Sequence, residues 1–416
     1  MRLWSRRFAL ALVLALSVSA ADPAASGRKA LDLLLARNFA AFTQLLTPAA
    51  KETMSVAFLN QRTGPELDGF GAMQQVGTPL VSDNLVSFPV RFEKVTVNIQ
   101  FTLSPTGQVA GLFFRPVDTP LPPQWKHPPY SNPATFRERE VTIGSGEWKL
   151  SGTLTIPIST GPHPAVLLVH GPGPNDRDET LYSNRIFKDL AEGLASRGIT
   201  VLRYDKRTKV YGERMAGTSY TLEQETVEDA VAALKVLRQH ASKVFLVAHS
   251  LGGYAMPRIA QRDGNLSGAI LLAANARPIE DVVLDQFEAA YKQRTNDPAA
   301  RLRLSQLKAE VAKVKAGNNI ASLGLPAAYW ADLKTYRPAQ EAQRLTFPML
   351  FLQGEQDTQV PMRDFETWRT ALANQKNVQF QSYPDLNHLF QSDDLRIPGN
   401  VSPVVIGRIV NWIATR

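Results

Sequence analysis

The 416-residue chain contains no cysteine, which excludes disulfides, thiolate metal sites, a cysteine nucleophile and a lipid-modified cysteine. Histidine is scarce: there are six, and only His388 lies well downstream of the middle of the chain. The excess of one sign of charge is also small. Lys and Arg number 46 against 38 Asp and Glu, a formal balance of +8, and no basic–aromatic stripe or recognition motif accompanies the excess. Nucleic acid is therefore not an expected partner. At most the balance supports a weak association with anionic envelope surfaces. Nothing in the sequence sets the oligomeric state.

The longest apolar run near the N-terminus, residues 8–16, is too short to cross a bilayer. It follows the basic segment with Arg2, Arg6 and Arg7, and precedes the small residues Ser17, Ser19 and Ala20. Residues 1–20 thus read as a signal peptide, with cleavage after Ala20 and export to a periplasmic or extracellular compartment. Without the three leader arginines the charge balance is +5.

What is present points to one chemistry. The apolar, partly β-branched run Val244-Phe245-Leu246-Val247-Ala248 stops at His249-Ser250-Leu251-Gly252-Gly253. A strand that ends in a serine flanked at two residues' distance by Ala248 and Gly252 fits a nucleophile elbow. That is a strand–Ser–helix turn tight enough to demand small residues on both sides. A serine hydroxyl needs a base, and the base needs an acid to fix its tautomer. His388 follows the strand-like segment 377–380, and Asp357 follows the apolar strand 349–352. The order Ser250, Asp357, His388 is that of α/β-hydrolases, and each residue falls just past an expected strand end. Glu355 and Asp385 are the local rivals of Asp357. His249 reads as a spacer packed beside the sheet.

Several blocks, taken together, resemble those of a family of bacterial α/β-hydrolases of the serine esterase type. They are His170-Gly171-Pro172-Gly173-Pro174-Asn175-Asp176-Arg177-Asp178-Glu179, Leu202-Arg203-Tyr204-Asp205-Lys206-Arg207, Leu352-Gln353-Gly354 with Asp357, and Leu386-Asn387-His388-Leu389-Phe390. The resemblance covers residues 136–416. It implies a carboxylic ester hydrolase acting on a small-molecule ester without a cofactor or metal. The His170 block then forms the oxyanion turn. Leu251 supplies one backbone N–H, and the second comes from Gly171 or Gly173, with Gly173 favoured, because Pro172 has none to give. Asp176, Arg177, Asp178 and Glu179 read as an ion-paired loop rather than a metal site.

The expected fold is α/β, an α/β-hydrolase fold with an inserted helical cap, preceded by a small α+β domain. Alternating strands and helices after residue 136 imply a mainly parallel sheet covered on both faces. More than seventy residues separate strand 269–272 from strand 349–352, where a plain crossover needs about ten to twelve. The surplus is a cap at about 277–345. Leu304, Leu307, Val311 and Val314 form an apolar stripe on one of its helices, and Tyr329 and Trp330 are candidate pocket residues.

Residues 118–135, rich in proline, read as a semi-rigid linker whose Trp125 and Tyr130 pack on one of the two domains. Residues 24–117 read as a separate, non-catalytic domain. The segment 30–42 has helical spacing, and the period changes to two at Val86, Phe88, Val90 and Phe92 and again at Val95, Val97, Ile99, Phe101 and Leu103. This part resembles a domain of unknown function that often precedes such hydrolases, with a cone-shaped fold of the nuclear-transport-factor kind.

Two readings compete with an esterase. A peptidase or amidase would use the same triad, and a binding protein on a degenerate hydrolase scaffold finds support only in Pro172.

Overall fold

The computed structural model describes residues 22–416, apart from 83, 105, 118–124, 216–217, 293–297, 318–319 and 393–396. The expected signal peptide and the first part of the expected linker lie outside the described residues. The chain divides into two units, residues 1–124 and 125–416.

In the first unit, helix α1 (Pro23–Leu35) starts where the Asp22 side chain accepts the Ala24 N–H at 3.0 Å. The helical spacing suggested one helix over 30–42. Instead the chain breaks at Arg37, with φ 56°, and Asn38 caps a short second helix, Phe39–Gln44. Five antiparallel strands follow: β1 (Met73–Val76), β2 (Leu80–Ser82), β3 (Leu85–Phe92), β4 (Thr96–Leu103) and β5 (Val109–Pro116). Their order is β1-β3-β4-β5, with β2 paired to β3. The alternating residues of β3 and β4 are buried together with Leu31, Leu34 and Phe42 from the helices.

The second unit is built on eight strands: β6 (Phe136–Ile143), β7 (Leu150–Pro157), β8 (Ala165–Val169), β9 (Thr200–Tyr204), β10 (Val244–His249), β11 (Gly268–Leu272), β12 (Met349–Gly354) and β13 (Val378–Tyr383). The order is β13-β12-β11-β10-β8-β9-β7-β6. The β6–β7 and β7–β9 pairs are antiparallel and all others are parallel. Parallel strands need crossovers, so helices cover both faces and the central strands bury every residue. Alternate residues of β10 feed the two cores. Leu246 and Ala248 join one cluster, and Phe245 and Val247 join the other.

Among the covering helices are α2 (Ile186–Ala195), α3 (Glu228–Leu237) and α4 (Leu251–Asp263). The cap follows β11 as α5 (Ile279–Lys292), α6 (Pro298–Lys315) and α7 (Ala327–Leu333), and a short helix, Pro338–Ala342, leads back to β12. Leu307 and Val311 of the α6 stripe are buried, and Leu304 and Val314 are half-buried. Helices α8 (Met362–Ala371) and α9 (Pro403–Ala414) complete the unit.

The second half of the expected linker is part of this unit rather than a spacer. The Trp125 indole N–H donates to Asp189 at 2.8 Å, Ser131 Oγ donates to Glu192 at 2.7 Å, and Tyr130 is seated where α2 carries only Gly193.

Candidate active site

Strand β10 ends at His249, and α4 begins at Leu251. Ser250 sits between them with φ 52° and ψ −118°. That conformation costs an L-residue on the order of 1–3 kcal/mol and persists only where the surroundings enforce it. The enforcement is visible. Ser250 N–H donates to the Leu272 carbonyl at 2.9 Å. A Cβ at Gly252 would be driven into the Val169 and His170 carbonyl oxygens, and one at Gly253 into Ala274. The Leu251 N–H stands at the first turn of α4, where no intrahelical acceptor exists.

Strands β12 and β13 are parallel neighbours, so their C-terminal ends lie side by side. Asp357 follows the first and His388 the second. His388 Nδ1 lies 2.7 Å from Asp357 Oδ2, and neither side chain is more than 5% exposed. The other Asp357 contacts fix its orientation. Oδ1 accepts the N–H groups of Gln359 (2.7 Å) and Val360 (2.9 Å), and Oδ2 also accepts from Gln353 Nε2 (3.1 Å). The rivals are elsewhere: Glu355 accepts from Ser382 Oγ, and Asp385 is exposed. Gly354 makes the approach of the two loops feasible, because a Cβ there would strike the Leu386 and Asn387 carbonyls just before His388. His249 ties this loop to the elbow. Its ring centroid is 4.6 Å from that of His388, and its Nε2 donates to the His388 carbonyl at 3.1 Å.

The His170 block turns beside Ser250, and a Cβ at Gly171 would lie 3.3 Å from Ser250 Cβ. One expected oxyanion donor is not free. The Gly171 N–H is spent on Glu179 Oε1 at 2.5 Å, because the loop 176–179 folds back under the turn. The Gly171 carbonyl is held too, by Lys206 Nζ at 2.8 Å and Asn175 Nδ2 at 3.2 Å. Pro172 has no N–H, which leaves Gly173, at φ 87°, beside Leu251 on the wall of a cavity. Arg177 pairs with Asp205 and Glu140, and Arg203 with Asp178 and Glu138. Both arginines are thus engaged in holding the loop.

The electrostatics follow from burial. Desolvation pushes the His170 imidazole down to about 4, and its Nε2–H donates to the Asp176 carbonyl at 3.1 Å. Burial opposes a charge on His249 too. There the Glu179 carboxylate, 3.0 Å from Nδ1, more than offsets it and raises the imidazole above its ordinary value. Glu179 is lowered in turn: burial resists, and the charge of His249 prevails.

A cavity of about 360 Å³ adjoins the elbow. Gly173, Leu251 and Glu225 line it from the sheet side, and Ile279, Leu325 and Tyr329 from the cap. Tyr329 is therefore where the pocket reading expected it. Trp330 is not: its indole N–H donates to the Ser322 carbonyl at 2.9 Å, and its ring lines a second cavity with Pro278 and Lys315. The sequence reading also passed over Glu225. It lies in a wide π turn, Glu223–Val227, and accepts from Lys206 Nζ at 2.6 Å and from the Tyr329 hydroxyl at 2.5 Å. Of its members the sequence singles out only Lys206 and Tyr329, one within the 202–207 block and the other as a pocket candidate.

Residues 161–394 match the model of the family described as serine aminopeptidase, S33. The chain belongs to this α/β-hydrolase family. Esterase EstD of Thermotoga maritima is 38% identical to it over 338 residues, 79% of each chain. Among solved structures, Est1E from Butyrivibrio proteoclasticus matches 66% of this chain and 98% of its own, at 16% identity and a TM-score of 0.44. A puromycin-hydrolysing peptidase from Mycobacterium tuberculosis matches 82% of this chain and 48% of its own, at 16% identity and a TM-score of 0.45.

Proposed function

We propose that the protein is an exported serine esterase that cleaves small-molecule carboxylic esters of small or medium acyl size. The observation that carries this reading is the buried Asp357–His388 bond, tied through His249 to a strained elbow serine. Kinship with an esterase at 38% identity supports it.

Ser250 Oγ attacks the ester carbonyl carbon while His388 Nε2 takes its proton. The negative charge that develops on the carbonyl oxygen is met by the N–H groups of Leu251 and Gly173. The tetrahedral species collapses, the C–O bond to the alcohol breaks, and the proton on His388 goes to the departing oxygen. Water then repeats the sequence on the acyl-enzyme and releases the carboxylic acid. Asp357 keeps the His388 proton on Nδ1 and stabilises the imidazolium.

The peptidase alternative draws on the description of the family. An aminopeptidase needs an unpaired anion for the substrate's ammonium group. Glu225 is the one carboxylate among the described residues lining the cavity, and Lys206 and Tyr329 already occupy both its oxygens. That pairing favours an uncharged acyl group. Residues 1–20 supply the export signal in this reading, and fractionation of cells expressing the full chain reports the compartment.

The test is hydrolysis of a nitrophenyl ester series from acetyl to palmitoyl beside aminoacyl nitroanilides, with Ser250→Ala as control. Turnover that peaks at a short or medium acyl length and vanishes in the variant is expected. Ser250-dependent cleavage of the anilides with none of the esters would install the peptidase instead, and no Ser250-dependent turnover at all would return the scaffold reading.

A further inference from the structure

We infer that Glu179 and His249 act as a positioning pair, linking the oxyanion turn to the loop that carries His388 through one shared buried proton. The inference rests on the reading of Ser250 and His388 as nucleophile and base, and it goes beyond the triad.

Three hydrogen bonds run in series across the floor of the site. The Gly171 N–H donates to Glu179 Oε1 at 2.5 Å. Glu179 Oε2 lies 3.0 Å from His249 Nδ1, and His249 Nε2 lies 3.1 Å from the His388 carbonyl oxygen. The polarity of the two ends is fixed by covalent structure. An amide N–H only donates and a carbonyl only accepts. His249 therefore carries a proton on Nε2, and Glu179 Oε1 is an acceptor. Between Nδ1 and Oε2 there must be one more proton, or a lone pair would face a lone pair in a site where both side chains are under 10% exposed. The distances require that one proton, and the raised imidazole and lowered carboxyl place it on Nδ1. The imidazole thus holds two N–H bonds against a carboxylate, and the pair's ends reach the two parts of the site that must keep register.

The surroundings support this assignment. His388 and Asp357 face His249 from the triad side. His170 and Asp176 flank Glu179 from the turn side, and the Lys206 cation there is committed to Glu225 and the Gly171 carbonyl. A buried ion pair seldom adds net stability over an apolar filling. Its worth here is geometric: Gly171 on one end and His388 on the other are held through a residue covalently joined to Ser250. A displacement of about 1 Å between turn and base costs about 100-fold in rate.

The experiment compares Glu179→Ala, Glu179→Gln and His249→Asn by kcat per active site, counted by fluorophosphonate end-point titration, with melting temperatures alongside. The amide that Glu179→Gln introduces can accept from Gly171 with its oxygen and donate to a neutral His249, whose Nε2–H still serves His388. All three bonds survive without charge. The expected result is a fall in kcat of roughly 30- to 100-fold at a KM within about threefold for E179A and H249N, with E179Q within about threefold of the parent. Equal kcat per titrated site in all three, whatever their melting temperatures, would reduce the pair to a structural filler and overturn the inference. A second readout does not depend on substrate. The proton spectrum in water should contain a strongly deshielded imidazole resonance that is lost in E179A and kept in D357N and S250A. Its absence from the parent protein overturns the inference by itself. If the parent shows no Ser250-dependent turnover, the esterase reading falls and takes the catalytic purpose of the pair with it, and this resonance tells whether the pair itself exists.

Discussion

Asp357→Asn is the change whose consequence the geometry works out most fully. The carboxylate accepts four hydrogen bonds, two on each oxygen. An asparagine can keep only one pair. The N–H groups of Gln359 and Val360 point at Oδ1 and cannot reverse, so the amide oxygen must stay there and the NH2 must take the place of Oδ2. That NH2 then meets two donors. Gln353 cannot turn its amide over, because its Nε2 also donates to the carbonyls of Gly354 (3.1 Å) and Val360 (2.9 Å). His388 can yield: its proton moves to Nε2, and Nδ1 becomes the acceptor. The base is then blocked where it should take the proton of Ser250. Loss of the correct tautomer in such a triad lowers kcat by about 10⁴, or about 5.5 kcal/mol of barrier. Lost charge-assisted bonding costs about 1.5–3 kcal/mol of stability as well. Steady-state hydrolysis of the best nitrophenyl ester, referred to the folded fraction from a urea titration, measures both. Glu355→Gln and Asp385→Asn serve as controls and should stay within about threefold of the parent. A kcat for D357N within tenfold of the parent, or a comparable loss in either control, would refute the assignment of the acid.

Gly354→Ala adds a Cβ against the Leu386 and Asn387 carbonyls, so it should displace the His388 loop and lower kcat far more than it lowers the melting temperature, as paired kinetics and calorimetry will read. Lys206→Met leaves Glu225 buried with only Tyr329 as partner and should destabilise the protein by about 3–5 kcal/mol in urea unfolding, whereas a loss under about 1 kcal/mol would mean that the pair is dispensable. His170 is held near 4 in the folded protein against about 6.5 unfolded, so the unfolded chain binds the extra proton between those values and stability falls as pH drops from about 6.5 to about 4, by up to about 3 kcal/mol. His170→Phe should flatten that part of the pH profile of unfolding, and an unchanged slope would contradict the depressed value.

Chain order and local turns carried much of what could be read beforehand. The elbow is legible because it is a short-range device: strand, strained serine and two obligatory glycines lie within ten residues, and each leaves a mark in the sequence. The pairing of Asp357 with His388 is legible because each follows a strand of a sheet whose order the fold constrains. What escaped depends on closure through space. Gly171 was a reasonable donor until the loop brought Glu179 back to it. Glu225 belongs to no motif, and its role exists only because Lys206 and Tyr329 converge on it. Tyr329 and Trp330 line different cavities, as consecutive residues of a helix point about 100° apart. The linker misled for a different reason. Proline content reports an extended chain: the packing of Trp125 and Tyr130 could be expected from their aromatic rings, but the anchoring of this half of the segment through Ser131 on Glu192 could not.

Pro172 was the one feature that counted toward a degenerate scaffold, and its surroundings weigh the other way. Both polar groups of Gly171 are engaged by buried charges of opposite sign, the N–H by Glu179 and the carbonyl by Lys206. The ring of Pro172 fixes its own φ near about −65°. Gly173 then adopts φ 87°, with no atom within 4 Å of where a Cβ would stand. The Gly173 carbonyl accepts from Thr208 Oγ1 at 2.8 Å, so three successive residues are restrained by three separate means. A turn that merely connected a strand to a loop would not require this, since two buried charges are a costly way to hold one glycine. Stabilisation of an oxyanion does require it, because donors that must reorganise at the moment of reaction lose most of their effect. On this argument the proline does not remove a donor from a working hole. It belongs to the restraint that, in the proposed mechanism, leaves Gly173 beside Leu251 on the cavity wall as the second donor.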